Sequence, residues 1–274
     1  EPRLNPPTIE QIEDRLGGIN LGVANETYPD LEVFFHRETL TQIIALKEYL
    51  LKKQEANGLD RVDRWIRMVA LNRLTGHSSG FFSVYTLPPN QAVSIEAQRK
   101  INQSRNQKPE AKEIIPRILR RSKALLKDWR DPRLKYSGVD LEAVLTVDDA
   151  SHAAGIQTDT AQLIVTSPPF LDVVDYHADN WLRCWFLGFD SSAIAISQIK
   201  SPEEWQLLMG QVLQDLKRIL KPGGYIAFEV GEVRGGDILL EELVLPAGVR
   251  AGLTPVIILI NVQEFTKTAN TWGV

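Results

Sequence analysis

The spacing of apolar residues changes about halfway along the chain. Between Glu38 and Gln54, residues Leu40, Ile43, Ile44, Leu50 and Leu51 fall on one helical face. In LDRVDRWIRMVALNRL (59–74), Val62, Trp65, Ile66 and Val69 keep the i, i+3, i+4, i+7 spacing of a second amphipathic helix. Two basic helices are predicted over 94–106 and 110–129. Before them, TGHSSGFFSVYTLPPN (75–90) reads as a loop with embedded aromatic residues. Residues 1–30 are rich in Pro, Gly and Asn, with one short helical stretch at Ile9–Leu16, and read as a connector.

After YSGVD (136–140) short apolar runs replace this pattern. AVLTV (143–147) predicts a strand ending at Asp148 and Asp149. QLIVT (162–166) predicts a second, apolar throughout and therefore expected to be buried on both faces. A helix is signalled from Ser201. Serine is a good N-cap, Pro202 suits the first helical position, and Glu204 would complete a capping box. Trp205, Leu208, Met209, Val212, Leu213, Leu216, Ile219 and Leu220 give it one continuous apolar face. KPGG (221–224) is expected to end it with a C-cap glycine. YIAFEV (225–230) and PVIILINV (255–262) predict two more strands, with helix over 238–251 between them. Strands alternating with helices imply an α/β fold with a largely parallel sheet. The expected organisation is a connector (1–30), a helical insert (31–135) and an α/β core (136–274).

Composition excludes several classes. Of 274 residues 43% are hydrophobic and 24% charged, as in ordinary globular chains. No apolar run approaches the roughly 18 residues of a membrane span, so no membrane partner is expected and a cytoplasmic location is the simplest reading. Cys184 is the only cysteine, which rules out an internal disulfide and a cysteine-based zinc site. His36, His77, His152 and His177 show no metal-ligand spacing, so no metal site is expected. Charge adds something the hydropathy pattern does not show. The net charge is −4, yet Ala97–Tyr136 holds 13 Lys and Arg against four acids. Such a concentrated stretch suits nucleic acid, with a solvated helix face as the alternative. Its candidate phosphate contacts are Arg99, Lys100, Arg105, Arg117, Arg120 and Arg121.

The most specific chemistry follows the second strand, in SPPF (167–170). Ligands of open α/β sheets bind outside the carboxyl ends of strands. Pro168 forces Ser167 into extended geometry, and Pro169 does the same to Pro168. The corner is stiff and offers carbonyl acceptors with few donors. The Ser167 hydroxyl and the Pro168 carbonyl are two acceptors for an exocyclic amine, and Phe170 offers a flat face for stacking on a planar ring. Two acceptors aimed at an aryl NH₂ would localise its lone pair, which is otherwise delocalised into the ring. The amine then becomes nucleophilic. Asp172 and Asp175 either line the same pocket or cap the following helix. Trp181 and Trp185, at i, i+4, are read as core.

TSPPF at a strand end, an aspartate ending the preceding strand, and LKPGGYIAFEV downstream together resemble the amino-group DNA methyltransferases. That family's motif is (Asp/Asn/Ser)-Pro-Pro-(Tyr/Phe). SPPFLDVVDY, FFHRETLTQIIALKEYL and SVYTLPPNQAVS resemble one bacterial subgroup, so the likeness covers most of the chain. The resemblance implies a Rossmann-like class I methyltransferase core with a large helical insert. It also implies methyl transfer from S-adenosylmethionine to cytosine N-4 or adenine N-6 of DNA, with the Ser-Pro-Pro form leaning toward cytosine and a restriction-modification setting. Ser167, Pro168, Pro169 and Phe170 then take the catalytic positions. Asp149 is the candidate contact to the cofactor's adenine amine, Asp148 its alternative, and Thr166 sits beside them at the strand end. The target base must be flipped out of the duplex, and recognition is assigned to 31–135. The family's glycine-rich cofactor loop, Asp-Pro-Phe-x-Gly-x-Gly, is missing. GGINLG follows no strand and VGEVRGG follows the wrong one, which places the missing loop and first strands upstream of Glu1. LNPP near the start resembles the segment after the family's second motif. The rival readings are a non-catalytic or degenerate nucleic-acid-binding fragment and an RNA or protein-glutamine methyltransferase.

Overall fold

The computed structural model describes residues 5–86, 92–129, 146–169, 171, 175–193 and 199–261. The chain is mixed α/β, with a small parallel sheet, and divides into two compact units. The first comprises Glu1–Ala143 and Tyr176–Ala195, the second Val144–Asp175 and Ile196–Val274.

The first unit is helical. Its elements are α1 (Ile9–Gly17), α2 (Arg37–Glu55), α3 (Arg61–Leu71), α4 (Ile95–Ser104), α5 (Ile114–Trp129) and α6 (Tyr176–Leu187). Their starts follow side-chain capping. Thr8 accepts from the Gln11 N–H in a reciprocal capping box, and Asp60 does the same with Asp63. Ser94 caps α4 through the Ala97 N–H. The apolar faces meet in one core containing Ile12 and Leu16 of α1, Ile43 and Leu46 of α2, Trp65 and Ile66 of α3, and Ile114 and Ile118 of α5. The segment read as a connector therefore supplies core residues. Trp65 is buried and donates its indole N–H to the Ser122 hydroxyl at 2.9 Å, so the largest core side chain has its polar atom satisfied. Leu182 and Phe186 bring α6 into the same core. Trp181 donates to the Ala92 carbonyl at 3.0 Å and Trp185 packs edge-on to Tyr28, so both tryptophans are packing residues as read from their spacing.

One charged cluster braces this unit. Arg15 pairs with Asp60 at 2.6 Å and with the buried Asp63, which also accepts from the Tyr49 hydroxyl at 2.9 Å. The hydrogen bond from Arg15 holds Asp60 at about 2, below its ordinary value.

The second unit holds the sheet. Strand β1 (Ala161–Thr166) pairs in parallel with β2 (Leu220–Phe228). Between them in sequence comes α7 (Pro202–Ile219), and a two-residue antiparallel pair, β3 (Glu232–Val233) with β4 (Ile238–Leu239), precedes α8 (Leu240–Arg250). Trp205, Met209 and Val212 of α7 pack with Leu171, Val233 and Leu240 in a second core. Ser201 caps α7 as predicted, accepting from the Glu204 N–H at 3.3 Å, but the Glu204 side chain does not return the bond that would complete the expected capping box. The Ser201 hydroxyl donates to Glu203 at 2.6 Å.

The structure departs from the sequence pattern at four places. The helix ends at Ile219 with Leu220 already extended, so KPGG is not its C-cap. The register runs Ala161↔Leu220 and then Leu163↔Tyr225, so KPGG loops out of the ladder as an extended bulge. Gly223 takes φ +76° there. Gly224 is needed because a Cβ would lie 2.8 Å from the Gln162 carbonyl. Second, β1 is not buried on both faces. Leu163 is 59% and Val165 73% exposed, and none of the six strand residues is fully buried. Third, 255–261 form no strand among the described residues, and Val256–Ile260 are all exposed. Finally, Thr146 and Val147 are exposed and unpaired, while the rest of the strand predicted over 143–147 lies outside the described residues.

Candidate functional site

The corner after β1 has a definite physical construction. Parallel pairing carries on to Thr166↔Phe228, and the Glu229 N–H donates to the Thr166 carbonyl at 2.9 Å. The ladder ends there, because Pro168 and Pro169 have no N–H to offer it. On the far side Leu171 is fully buried in the second core, anchoring the chain where it leaves the corner. Between these two fixed points the indole N–H of Trp205 donates to the Pro169 carbonyl at 3.0 Å. Trp205 is itself buried, so this bond satisfies a donor with no route to water and tethers the corner to α7.

The tether uses the second proline's carbonyl and leaves the first free. Ser167 is exposed and Pro168 half-buried. Among the described residues no donor reaches the Ser167 hydroxyl or the Pro168 carbonyl. Phe170, the expected stacking face, lies outside the described residues, as does Asp172. Asp175 directly precedes α6. Trp205 was read from sequence only as part of an apolar face. The signal for its second role was the indole N–H, which needs a partner wherever the ring is buried.

Asp148 and Asp149 lie in an exposed turn. Asp148 accepts from the Asp149 N–H at 2.9 Å, and Asp149 accepts from the Ser151 hydroxyl at 2.7 Å and the Ser151 N–H at 2.8 Å. The Ser151 hydroxyl, then its N–H, holds Asp149 below the ordinary carboxylate value. The following segment is stapled to the end of α7. Asp215 pairs with Arg218 at 2.7 Å and accepts from the Ala153 N–H. Arg218 also donates to the Ile156 and Ala153 carbonyls, at 2.8 and 3.1 Å. Among the described residues no hydrogen bond joins Asp148 or Asp149 to the Ser167 corner.

These residues do not fit a complete S-adenosylmethionine site. The turn after β1 is Ser-Pro-Pro rather than glycine-rich. The glycines after β2 sit in the tight turn at 234–236, Gly236 taking φ +96°. The Asp149 carboxylate is engaged by its own turn. Asp148 is likewise engaged, by the Asp149 N–H, and the Thr166 carbonyl by the Glu229 N–H, and no backbone cradle accompanies them among the described residues.

The six basic candidates separate into two sets. Arg99 pairs with Asp30 at 3.2 Å, both exposed. The Arg105 guanidinium lies 3.8 Å over the Tyr85 ring, and Lys100 is an exposed surface residue. Arg117, Arg120 and Arg121 share one stretch of α5 and are joined by Arg73, which follows α3 and was not singled out from sequence. Burial, then Arg121 and Arg120, depress the Arg73 pKa; burial, then Arg120, depress that of Arg117. Among the described residues no group of three or more His, Cys, Asp or Glu is arranged to hold a metal, and no helix is long and apolar enough to cross a membrane.

Compared with protein-family models, curated proteins and solved structures, the chain matches none.

Proposed function

We propose that this chain belongs to an S-adenosylmethionine-dependent DNA methyltransferase. Its second unit would be the Rossmann-like core, and its Ser167–Phe170 corner would receive the exocyclic amine of a flipped base, cytosine N-4 favoured over adenine N-6. The observation that carries this reading is the division of labour at the corner. The Pro169 carbonyl is engaged by Trp205, whereas the Ser167 hydroxyl and the Pro168 carbonyl, on a rigid segment at a strand's carboxyl end, have no donor among the described residues. That pair matches the two hydrogens of an aryl NH₂. Accepting both hydrogens in tetrahedral directions localises the nitrogen lone pair, which is otherwise conjugated with the ring, and makes the amine nucleophilic. Rigidity matters because donors and acceptors already in place need no reorganisation as charge develops. A methylated amine is cationic until it releases one proton to water, so no protein base is required. S-adenosylmethionine supplies the electrophilic methyl group, and its cradle is not formed by the described residues.

The test is transfer of labelled methyl from S-adenosylmethionine to unmethylated duplex DNA, with the product nucleoside identified by mass spectrometry. N-4-methylcytosine is expected, with Ser167→Ala lowering the rate about 10²–10³-fold. Unchanged turnover in a folded Ser167→Ala protein removes Ser167 from the chemistry. The absence of a glycine-rich turn among the described residues favours a second reading, a nucleic-acid-binding module without catalysis. Binding of DNA with no transfer to any sequence selects it.

A further inference from the structure

The loop between α3 and α4 is not the open connection its sequence implies. The Phe82 N–H donates to the Arg73 carbonyl at 2.8 Å, the Ser83 N–H to the Leu74 carbonyl at 3.2 Å, and the Val84 N–H to the Phe34 carbonyl at 2.8 Å. Phe81, Phe82 and Val84 are buried, so the loop returns on itself, and among its described residues from 73 to 86 the exposed ones are 77–79 at the tip. Basic side chains collect around that tip. Arg73 lies 4.1 Å over the Phe81 ring, which fixes the plane of its guanidinium. Arg117 donates Nε–H to the Ser79 carbonyl at 3.1 Å. One point beside Gly80, where a Cβ would stand, is within 4 Å of both an Arg120 Nη2 and an Arg73 Nη1, with the Ser78 hydroxyl 3.6 Å away. Arg121 follows Arg117 at i+4 on α5, and its charge is felt at Arg73.

Four guanidinium groups held this close repel one another. Packing and three carbonyl contacts, from Arg73 to Asn72 and from Arg117 to Ser79 and Glu113, hold Arg73 and Arg117 in place. Among the described residues none of the four forms an ion pair, and the nearby acid is Glu113, acting on Arg117. Guanidinium groups gathered without an ion-pair partner, and with N–H groups left over from those carbonyl bonds, match the tetrahedral oxygens of a phosphate. We propose that Arg73, Arg117, Arg120 and Arg121, gathered at the loop tip, form a seat for a phosphodiester group of the DNA backbone. DNA is chosen over a free phosphate because Lys123 and Lys127 continue the cationic line along α5 beyond the seat, as an extended polyanion needs. The identity of the polyanion rests on the reading proposed above; the seat itself does not.

Binding is measured by fluorescence anisotropy on specific and random duplexes over a salt series, with no methyl donor present. Arg73→Gln with Arg120→Gln should lower the slope of log K against log[salt] by up to about 2, since each lost phosphate contact removes about 0.9. The loss should be alike on both duplexes. Arg73→Lys, which keeps the charge and loses the planar fork, should retain the slope. Arg99→Gln, whose partner is Asp30, should change it by less than one contact. An unchanged slope in the folded double variant overturns the seat, as does equal loss in Arg99→Gln. Tighter binding to duplex RNA or to inorganic polyphosphate than to DNA overturns the assignment to DNA. A slope that responds in a protein incapable of methyl transfer sustains the seat and removes the catalytic reading; transfer with an unresponsive slope does the reverse.

Discussion

Gly76→Ala sets two effects of opposite sign against each other. Gly76 is outside the left-handed region, so alanine can adopt its backbone. By that argument alone the substitution would stabilise by about 0.4–1 kcal/mol, through lost freedom in the unfolded chain. Sterics oppose it. A Cβ at Gly76 would lie 2.5 Å from three carbons of the Phe81 ring, where carbon contacts normally lie at about 3.5–4.0 Å. The ring cannot simply swing away, being buried with Arg73 against one face. The Gly76 backbone is also held, through the Ser83 hydroxyl at 3.3 Å and the Thr86 N–H at 3.4 Å. Overpacking of this kind costs about 1–3 kcal/mol, so a net loss of about 1–2 kcal/mol is expected. Removing the ring removes the opposition. In a Phe81→Ala background, Gly76→Ala should be neutral or stabilising, giving a coupling of about 2 kcal/mol between the two positions. Urea unfolding of wild type, both single variants and the double variant, followed by far-UV circular dichroism, completes the cycle. Effects that add to within about 0.5 kcal/mol would refute the contact, and with it the positioning of Arg73 at the loop tip.

Two further outcomes follow from individual contacts. Trp205→Phe keeps an aromatic ring in the second core and deletes the donor to the Pro169 carbonyl. It should cost about 1 kcal/mol or somewhat more in urea unfolding, and no loss at all would mean the corner is not tethered there. Asp60, depressed to about 2 by Arg15, contributes stability that is complete above its ordinary value near 3.8 and is lost as pH falls toward 2. Asp60→Asn keeps an N-cap acceptor for α3, so its unfolding midpoint should fall less than the wild-type midpoint between pH 5 and pH 2.5. Parallel curves would remove the Arg15–Asp60 pair from the acid response.

Local chemistry that repeats or is self-contained was legible in the sequence. The helices α2, α3 and α7 follow from periodic apolar residues and a capping side chain within a few positions of each start, so their boundaries fall within three residues of the expected ones. The stiffness of Ser167–Pro169 is equally local, because proline restricts itself and its predecessor wherever it stands. The fate of the apolar runs 162–166 and 255–262 was not legible. An apolar run records only that a cover would be favourable, while burial depends on which elements are there to provide it. Tertiary structure left Leu163, Val165 and Val256–Ile260 exposed. KPGG shows the same limit: its glycines suit a helix end or a bulge, and pairing with β1 selected the bulge. Arg73 and Trp205 lay outside the reach of sequence for a different reason. Arg73 stands more than forty residues from Arg117, and Trp205 is 36 residues from Pro169; each acquires its role only when folding closes that separation. The composition of the basic stretch, in turn, could not separate Arg99, paired with Asp30, from Arg120, which forms no ion pair among the described residues, because a charge acts on whatever lies within a few ångströms and the fold alone decides its neighbours.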